Sequence, residues 1–482
     1  MSKVREGLWP HQLKTVEGLS AMPLPRRLLA YEMGCGKTRT AASAIEEHAN
    51  GGGYYFVICP KAVTGVWLNE LSDKRYKKLV PVVLDKRYRR LKVPARLNWL
   101  KDHATRADAN GNSCVFILNY ELLNCASNKR QQAAGMFALG WPPRGIVFDE
   151  SHWLAGASSA RSKSAVKIVG KMDARSLVLC LSGTPVTTCP LSIFTQAKLI
   201  KSSVFGESFY AFQKRHTIYK TIYVGGEGRA VPDEVVGLDI INSGIEEFAD
   251  VVKCADVQTF LPDVVNQVYS FEIECRKAYD EVKRDCITKF DQGYLTADNA
   301  LESWLRLRML TSGIATIDDD ETITVDDSRA NVLSELLNMA QPSAPSNPVI
   351  VFYEFKAELK QIESVCRGLA LRFGAISGAD KSGLHEATGT LAEGFDVVAV
   401  QLNAGTVGVD LTAASVCVFY RHPVRGWHVL DQAIKRLHRP GQKNVVRCLH
   451  VIASNTIDVQ IYNALKDQRN VAEFLINNIR EV

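Results

Sequence analysis

The feature that most restricts how this chain can fold is a recurring short apolar run that ends in polar residues. Four such runs stand in the first half: YYFVICP (54–60), CVFILNY (114–120), GIVFDE (145–150) and SLVLCLSG (176–183). Four more stand in the last third: VIVFYEF (349–355), DVVAVQL (396–402), VCVFYRH (416–422) and VVRCLHVIA (445–453). Unbroken apolar character marks strands buried on both faces, and helical stretches such as AVTGVWLNEL between them make each sheet parallel. From about 191 to 340 the pattern changes to the helical stretches ECRKAYDEVKRDCITKF and ADNALESWLRLRML and an acidic, turn-rich DDDETITVDDS. The loop QPSAPSNP (341–348) then leads into the next strand. The fold class this predicts is α/β, with two parallel-sheet domains joined through helical material. A length of 482 residues accommodates it, since domains run to roughly 100–200 residues.

In open parallel sheets, ligands bind beyond the carboxyl ends of the strands, so the polar residues after each run are the functional candidates. The stretch YEMGCGKTRT (31–40) has the composition of a phosphate loop. Gly34 and Gly36, with Cys35 between them, let backbone N–H groups approach an anion. Lys37 can place an ammonium on the β/γ-phosphates, and the Thr38 hydroxyl suits Mg²⁺. The preceding LLAY can end a strand, and TRTAASAIEEHA reads as a helix whose N-terminus faces the anion. The glycine expected five positions before Gly36 is replaced by Tyr31. Taken alone, the stretch is also a plain glycine turn before an exposed helix.

Asp149 and Glu150 end the run GIVFDE, where one carboxylate can hold Mg²⁺ and its neighbour can deprotonate water. LSGTP (181–185) brings hydroxyls to the same edge, and Gln12 in LWPHQ can pair with an adenine edge. In DQAIKRLHRPGQ (431–442), Gln432, Arg436 and Arg439 recur at helical spacing and are predicted to share one face. Two guanidiniums on one face invite a transferring phosphate; the plainer alternative is a basic face paired with surface carboxylates. NAGTVGVDLTAA (403–414), which carries Gly408 and Asp410, is a glycine-rich turn after a strand, where backbone N–H groups can meet phosphates.

The net charge of +6 is a mild basic excess. It is concentrated in residues 73–96, DKRYKKLVPVVLDKRYRRLKVPAR, with ten basic residues against two acidic ones and Tyr76 and Tyr88 interleaved. Such a cluster favours a phosphate backbone through counterion release, or is simply a solvated basic face. The twelve cysteines contain no C-x-x-C pair, which predicts reduced, buried thiols in a cytosol-like compartment rather than disulfides or zinc. The N-terminal stretch lacks the apolar core of a signal peptide, and no run approaches the ~20 apolar residues of a membrane span.

Seven motifs in order, HQ, MGCGKT, CPKAVTGVW, DESH, LSGTP, NAGTVGVDLTAAS and DQAIKRLHRPGQ, resemble the motor core of helicase superfamily two. The resemblance is nearest to its Swi/Snf branch of double-stranded-DNA translocases, in a compact form suited to bacterial or viral genomes, and runs from about Leu8 to Asp458. It implies two RecA-like lobes. The first, 1–260, binds ATP and carries a helical insertion at about 191–260. The second, 261–482, carries one at about 274–340. It further implies ATP and Mg²⁺ as cofactors, with Gln12 and Gly34 to Thr38 on the nucleotide, Thr38 and Asp149 on the metal, and Glu150 as the base. Gly408 and Asp410 then also belong to the nucleotide site, and Gln432, Arg436 and Arg439 complete catalysis from the second lobe. Duplex DNA would pass near Lys61 and Thr64, near NYE (119–121) and NAGTVG (403–408), and along the basic run 74–96. The expectation is a monomeric motor, its protein partners unspecified, in a bacterial or virus-infected host cytoplasm, with the nucleus left open. The chain departs from the branch at Tyr31, at Thr188, at VVKCADV (251–257) without an arginine pair, and at Lys435 in place of an acid. Two alternatives remain open on sequence: a strand-separating DNA or RNA helicase, and an ATP-gated DNA-binding subunit of a larger restriction or recombination complex.

Overall fold

The computed structural model describes residues 4–49, 53–84, 88, 90–91, 93–123, 142–186, 189–200, 203–224, 227–257, 261–285, 287–290, 293–296, 300–317, 321–340, 347–385, 389–402, 409–424 and 426–467. The chain divides into two compact units, Met1–Thr259 and Phe260–Val482.

In the first unit the strands are β1 (Arg26–Tyr31), β2 (Tyr54–Cys59), β3 (Leu79–Val83), β4 (Ser113–Asn119), β5 (Gly145–Asp149), β6 (Leu177–Leu181), β7 (Thr217–Val224), β8 (Glu227–Val235) and β9 (Ala249–Val252). Seven of them form one sheet in the order β3-β4-β2-β5-β6-β1-β9, and every neighbouring pair is parallel. The central strands are buried on both faces, with Phe56, Phe116, Phe148 and Cys180 in one core, which is why they read as unbroken apolar runs. Two strands carry no clear sequence signal. β3 lies inside the basic run and is an edge strand, where Pro81 is tolerated because no ladder bond needs its nitrogen. β9 extends the sheet beyond β1.

The second unit has β10 (Val264–Phe271), β11 (Ile287–Phe290), β12 (Gly293–Thr296), β13 (Ile314–Thr316), β14 (Thr322–Thr324), β15 (Val349–Tyr353), β16 (Phe373–Ile376), β17 (Val397–Gln401), β18 (Val416–Phe419) and β19 (Val446–Ala453). Six form a second parallel sheet in the order β10-β19-β18-β15-β17-β16.

The stretches 191–260 and 274–340, read as helical, are mixed. In the first, helices Phe194–Ile200, Phe209–Arg215 and Leu238–Phe248 flank the antiparallel hairpin β7–β8, before β9 joins the sheet. In the second, the helix that begins at Arg276 stops at Asp285, and the residues ITKF form β11 of a hairpin with β12. The reason is local: the β-branched and aromatic residues Ile287, Thr288, Phe290, Tyr294 and Thr296 favour strand over helix.

The stretch 274–340 is tied into the second sheet by buried charge. Arg308, on the helix Ala300–Leu310, donates to Glu354 at 2.6 Å. Arg421, after β18, donates to Glu358 at 2.8 Å and to Asp458 at 3.1 Å. Arg329, on the helix Ser328–Ala340, also pairs with Asp458. Arg421 is 1% exposed and Glu358 fully buried. Burial alone would raise the pKa of Asp458, but Arg329 and Arg421 hold it down at about 2. The described cysteines are free thiols, and no described helix is long and apolar enough to cross a membrane.

Removing one partner from such a network strands a buried charge, at a cost of about 3–5 kcal/mol. Arg421→Ala is therefore expected to lower the denaturant midpoint of the second unit strongly; a loss below about 1 kcal/mol would show that the network is peripheral. Because the Asp458 pKa is depressed, its contribution is present above about pH 4 and is lost as pH falls toward 2.

Candidate active site

The phosphate loop begins where β1 ends. Tyr31 is the last strand residue and is fully buried, with its hydroxyl 2.6 Å from Thr15 Oγ1, which in turn donates to Asp250 at 3.0 Å. It therefore anchors the strand end, and the loop proper starts at Glu32. Gly34 and Gly36 have φ of +89° and +75°, the left-handed region that glycine enters without strain, and Gly36 caps the helix Lys37–His48. The Lys37 ammonium donates to the carbonyls of Tyr31 at 2.8 Å and Glu32 at 3.2 Å. Thr38 is half-buried in the first turn of that helix, and Cys35 is buried with its Sγ 3.3 Å from Cys254 Sγ.

Gln12 lies against this loop. Its Nε2 donates to Gly36 O at 3.3 Å and its Oε1 accepts from Trp9 N at 2.8 Å. Any side chain at position 36 would collide with it, since a Cβ there would sit 2.0 Å from Nε2. The amide expected on adenine is thus engaged by protein groups. His11, the first residue of HQ, adds a second brace, its Nε2 lying 3.0 Å from Cys35 O.

Asp149 ends β5, in register with Leu181 of β6, which is itself paired with Leu29 of β1; the three strand ends therefore lie side by side. Asp149 is 5% exposed. Trp67 Nε1 donates to its Oδ2 at 2.8 Å, the Glu150 N–H donates to its Oδ1 at 3.0 Å, and the Tyr120 hydroxyl donates to its carbonyl at 2.8 Å. Burial, then the charge of Glu150, pushes the Asp149 carboxyl up to about 6. Glu150 sits at φ +52°, a conformation that costs a non-glycine residue energy and recurs at functional positions. Its Oε2 is buried without a hydrogen bond, 3.3 Å from His152 Nδ1. Burial lowers the His152 pKa, so the imidazole is neutral, and Nδ1 also lies 3.1 Å from Ser182 Oγ. Gly183 lies close to Lys37, a Cβ there falling 3.6 Å from Nζ. The structure thus brings together Gln12, the loop, Lys37, the acidic pair and LSGTP at one sheet edge. Trp67, Tyr120 and His152 join them from within CPKAVTGVW, NYE and DESH, whose residue types do not announce these contacts, and Cys254 joins without a sequence signal.

In the second unit, Gln432 and Arg436 lie on the helix Trp427–Leu437, but Arg439 does not share their face. The helix ends at Leu437, with His438 already non-helical, because Pro440 disfavours helical backbone at the residue before it. Arg436 is buried; Arg439 is partly exposed, with its Nη1 3.8 Å from Asp410. Lys435, the departure noted in sequence, pairs with Asp431 at 3.0 Å. Gln442 holds this turn together: its Nε2 donates to Ala414 O at 2.8 Å and its Oε1 accepts from Lys443 N and Asn444 N. Gly408, the stretch 403–408 and Thr188 lie outside the described residues.

Of the nucleic-acid candidates, Lys61 is exposed at the start of a 3₁₀ turn, and Thr64 opens the helix Thr64–Leu71 with its Oγ1 on Lys61 O at 2.8 Å. Tyr76 and Tyr88, interleaved in the basic run, are 5% and 1% exposed and belong to the interior, so neither is a stacking platform. Tyr120 of NYE is likewise buried. Lys74, Lys77, Lys78 and Arg90 are exposed, whereas Lys86, Arg87, Arg89 and Lys92 lie outside the described residues.

A phosphate loop and a paired-carboxylate strand end, side by side on a parallel sheet, define a nucleotide hydrolase of the α/β type. The SNF2-related domain family matches residues 13–252, and the helicase conserved C-terminal domain family matches 328–441. The chain belongs to the SNF2 family of superfamily-two ATPases, its two sheets being the RecA-like lobes. It is 27% identical to a Caenorhabditis elegans SWI/SNF-related matrix-associated actin-dependent regulator of chromatin subfamily A-like protein 1 homolog, over 97% of this chain and 61% of that protein. It is 21% identical to the uncharacterized ATP-dependent helicase YqhH of Bacillus subtilis over 98% of this chain and 80% of that one. It is 23% identical to the human DNA annealing helicase and endonuclease ZRANB3 over 95% of this chain and 39% of that one. The chain spans about half the length of the animal relatives it matches. The Sulfolobus solfataricus SWI2/SNF2 ATPase core in complex with dsDNA aligns with a TM-score of 0.41 at 16% identity, covering 98% of this chain and 93% of that one.

The raised carboxyl of Asp149 has a stability consequence. Its stabilisation is complete below the ordinary carboxylate value of 3.8 and is lost as pH rises through about 6. In metal-free buffer, Asp149→Asn is expected to raise the melting temperature at pH 8, with the gain shrinking toward zero at pH 4. Equal melting curves at both pH values would show that the carboxylate is not strained by its surroundings.

Proposed function

We propose that the protein is an ATP-driven motor that translocates along duplex DNA and remodels DNA or protein–DNA complexes. The observation that carries the proposal is the buried Asp149 and half-buried Glu150 at one sheet edge with Lys37, with a buried, unbonded oxygen on Glu150. ATP binds along Gly34 to Thr38, and Lys37 exchanges the Tyr31 and Glu32 carbonyls for the β/γ-phosphates. Gln12, released from Gly36, reads the adenine. The donor set of one hydroxyl, Thr38, and one carboxylate, Asp149, with phosphate and water oxygens, suits Mg²⁺, which takes hard oxygen ligands. When bound, the ion neutralises charge on the phosphates.

Glu150 then acts as the base. Its Oε2 is buried and lacks a hydrogen bond, so it can accept the proton of the attacking water. His152 Nδ1 lies 3.3 Å from Glu150 Oε2 and 3.1 Å from Ser182 Oγ, so the ring stands between this carboxylate and LSGTP. Arg436 and Arg439 serve as arginine fingers, with Gln432 beside them and Gly408 and Asp410 lining the same side of the nucleotide. Lys61, Thr64 and the basic run 74–96 grip the phosphate backbone, and a monomer acting in the cytoplasm suffices for this chemistry.

The test compares ATP hydrolysis with duplex DNA, single-stranded DNA and RNA, together with displacement of a triplex-forming strand. Duplex is expected to stimulate most, and the third strand to be displaced without separation of the duplex. Glu150→Gln should bind ATP yet hardly turn over. Arg439→Ala should lose about 10³-fold or more of the stimulated rate. Equal stimulation by all three nucleic acids, or an Arg439→Ala rate within a few-fold of the parent, would sink the reading.

A further inference from the structure

We propose that Trp67 is a positioning residue that couples backbone-phosphate contact at Lys61 and Thr64 to the orientation of the Asp149 carboxylate. The inference rests on the function proposed above, in which Asp149 holds the metal and Lys61 and Thr64 hold DNA.

The indole is fully buried, and its Nε1 donates to Asp149 Oδ2 at 2.8 Å. Buried tryptophans usually find a partner for this donor, but here the partner is the carboxylate at the centre of the site. A bond to an ionised acceptor is among the stronger hydrogen bonds. The Glu150 N–H holds the other oxygen at 3.0 Å, so the two bonds together set the rotation of the carboxylate about its Cβ–Cγ bond. One of the two donors belongs to the strand end itself. The other comes from a separate element and can move with it.

That element is the helix Thr64–Leu71. Thr64 is its first residue and is latched to Lys61 through the Oγ1–O bond of 2.8 Å, so the exposed lysine, the 3₁₀ turn and the helix form one unit. Trp67 follows Thr64 by three residues, less than one turn and only about 4.5 Å along the axis. A span this short is stiff, so a phosphate that pulls Lys61 and Thr64 must tilt or shift Trp67. The indole N–H carries the shift to Asp149 Oδ2. Replacing the indole N–H by sulfur, as in benzothienylalanine, keeps the shape of the ring and removes only the donor, so the hydrogen bond can be separated from the packing.

The experiment uses the full chain with Trp67→Phe. Dissociation constants for a duplex are measured with and without a non-hydrolysable ATP analogue, and for the analogue with and without duplex, across a Mg²⁺ titration. Coupling between two ligands is reciprocal, so both arms must return the same factor. In the parent protein each ligand alters the affinity of the other. In Trp67→Phe this factor is expected to fall toward one, and the Mg²⁺ midpoint for nucleotide binding to rise about tenfold or more, the scale of one hydrogen bond to a charged acceptor. Duplex affinity without nucleotide should stay within about twofold, because Lys61 and Thr64 are intact. Thr64→Ala should also lower the coupling, and adding Trp67→Phe to it should lower it little further, since both cut one path.

An unchanged coupling factor and Mg²⁺ midpoint in Trp67→Phe overturn the inference while leaving the motor intact. Absence of any coupling in the parent protein overturns the functional reading first. Should Trp67→Phe fail to fold, benzothienylalanine at position 67 keeps the ring shape and deletes only the N–H, and the same outcomes decide.

Discussion

Everything at the candidate site depends on the lateral register of three parallel strands. Leu29 of β1 is level with Leu181 of β6, and Leu181 is level with Asp149 of β5. Because the strands run in one direction, their carboxyl ends emerge together, and the loop 32–36, the acidic pair and Ser182 become neighbours. An antiparallel partner in this position would have sent one of the three to the opposite edge. β9 adds to this from the far side of β1, bringing Asp250 to the Tyr31–Thr15 hydroxyls and Cys254 to Cys35.

The two units use buried charge in opposite ways. In the second, Arg308, Arg329 and Arg421 meet Glu354, Glu358 and Asp458 in a paired network that holds Asp458 ionised down to about pH 2. This network joins the helices Ala300–Leu310 and Ser328–Ala340 to the ends of β15 and β18, so that the stretch 274–340 belongs to the second core, whereas 191–259 packs into the first. In the first unit, two adjacent carboxylates share a buried strand end, and the Asp149 pKa rises to about 6. Such a pair is costly without a cation, and that electrostatic strain is what a metal-nucleotide complex would relieve.

Much of the site is legible in the residues themselves. Gly34, Gly36, Lys37 and the Asp149–Glu150 pair stand out by residue type and spacing, because a phosphate cradle demands glycine conformations and an ammonium, and a metal demands a carboxylate. Tyr31 looks like a defect in that pattern, yet it is the buried end of β1, hydrogen-bonded to Thr15. The helical-face reading of Arg439 fails for a local reason, the Pro440 that stops the helix first. The basic run is charged as its composition suggests, but its aromatics are not stacking platforms, since Tyr76 and Tyr88 point inward from a segment that contains an edge strand.

The amino-acid sequence by itself determined the α/β class, the buried strands, the phosphate loop and the acidic pair. Each of these is a local demand: apolar runs must be buried, glycines must occupy left-handed backbone, and carboxylates must end at a polar edge. Only the tertiary structure decided the strand order β3-β4-β2-β5-β6-β1-β9, the hairpins within the stretches read as helical, and the partners of individual polar atoms. Trp67 shows why. Nothing in GVWLNEL distinguishes a core tryptophan from one whose N–H grips a carboxylate 82 positions away. That bond exists because β2 and β5 are paired and the helix after β2 packs back toward the end of β5, a relation between distant segments that local propensity cannot encode.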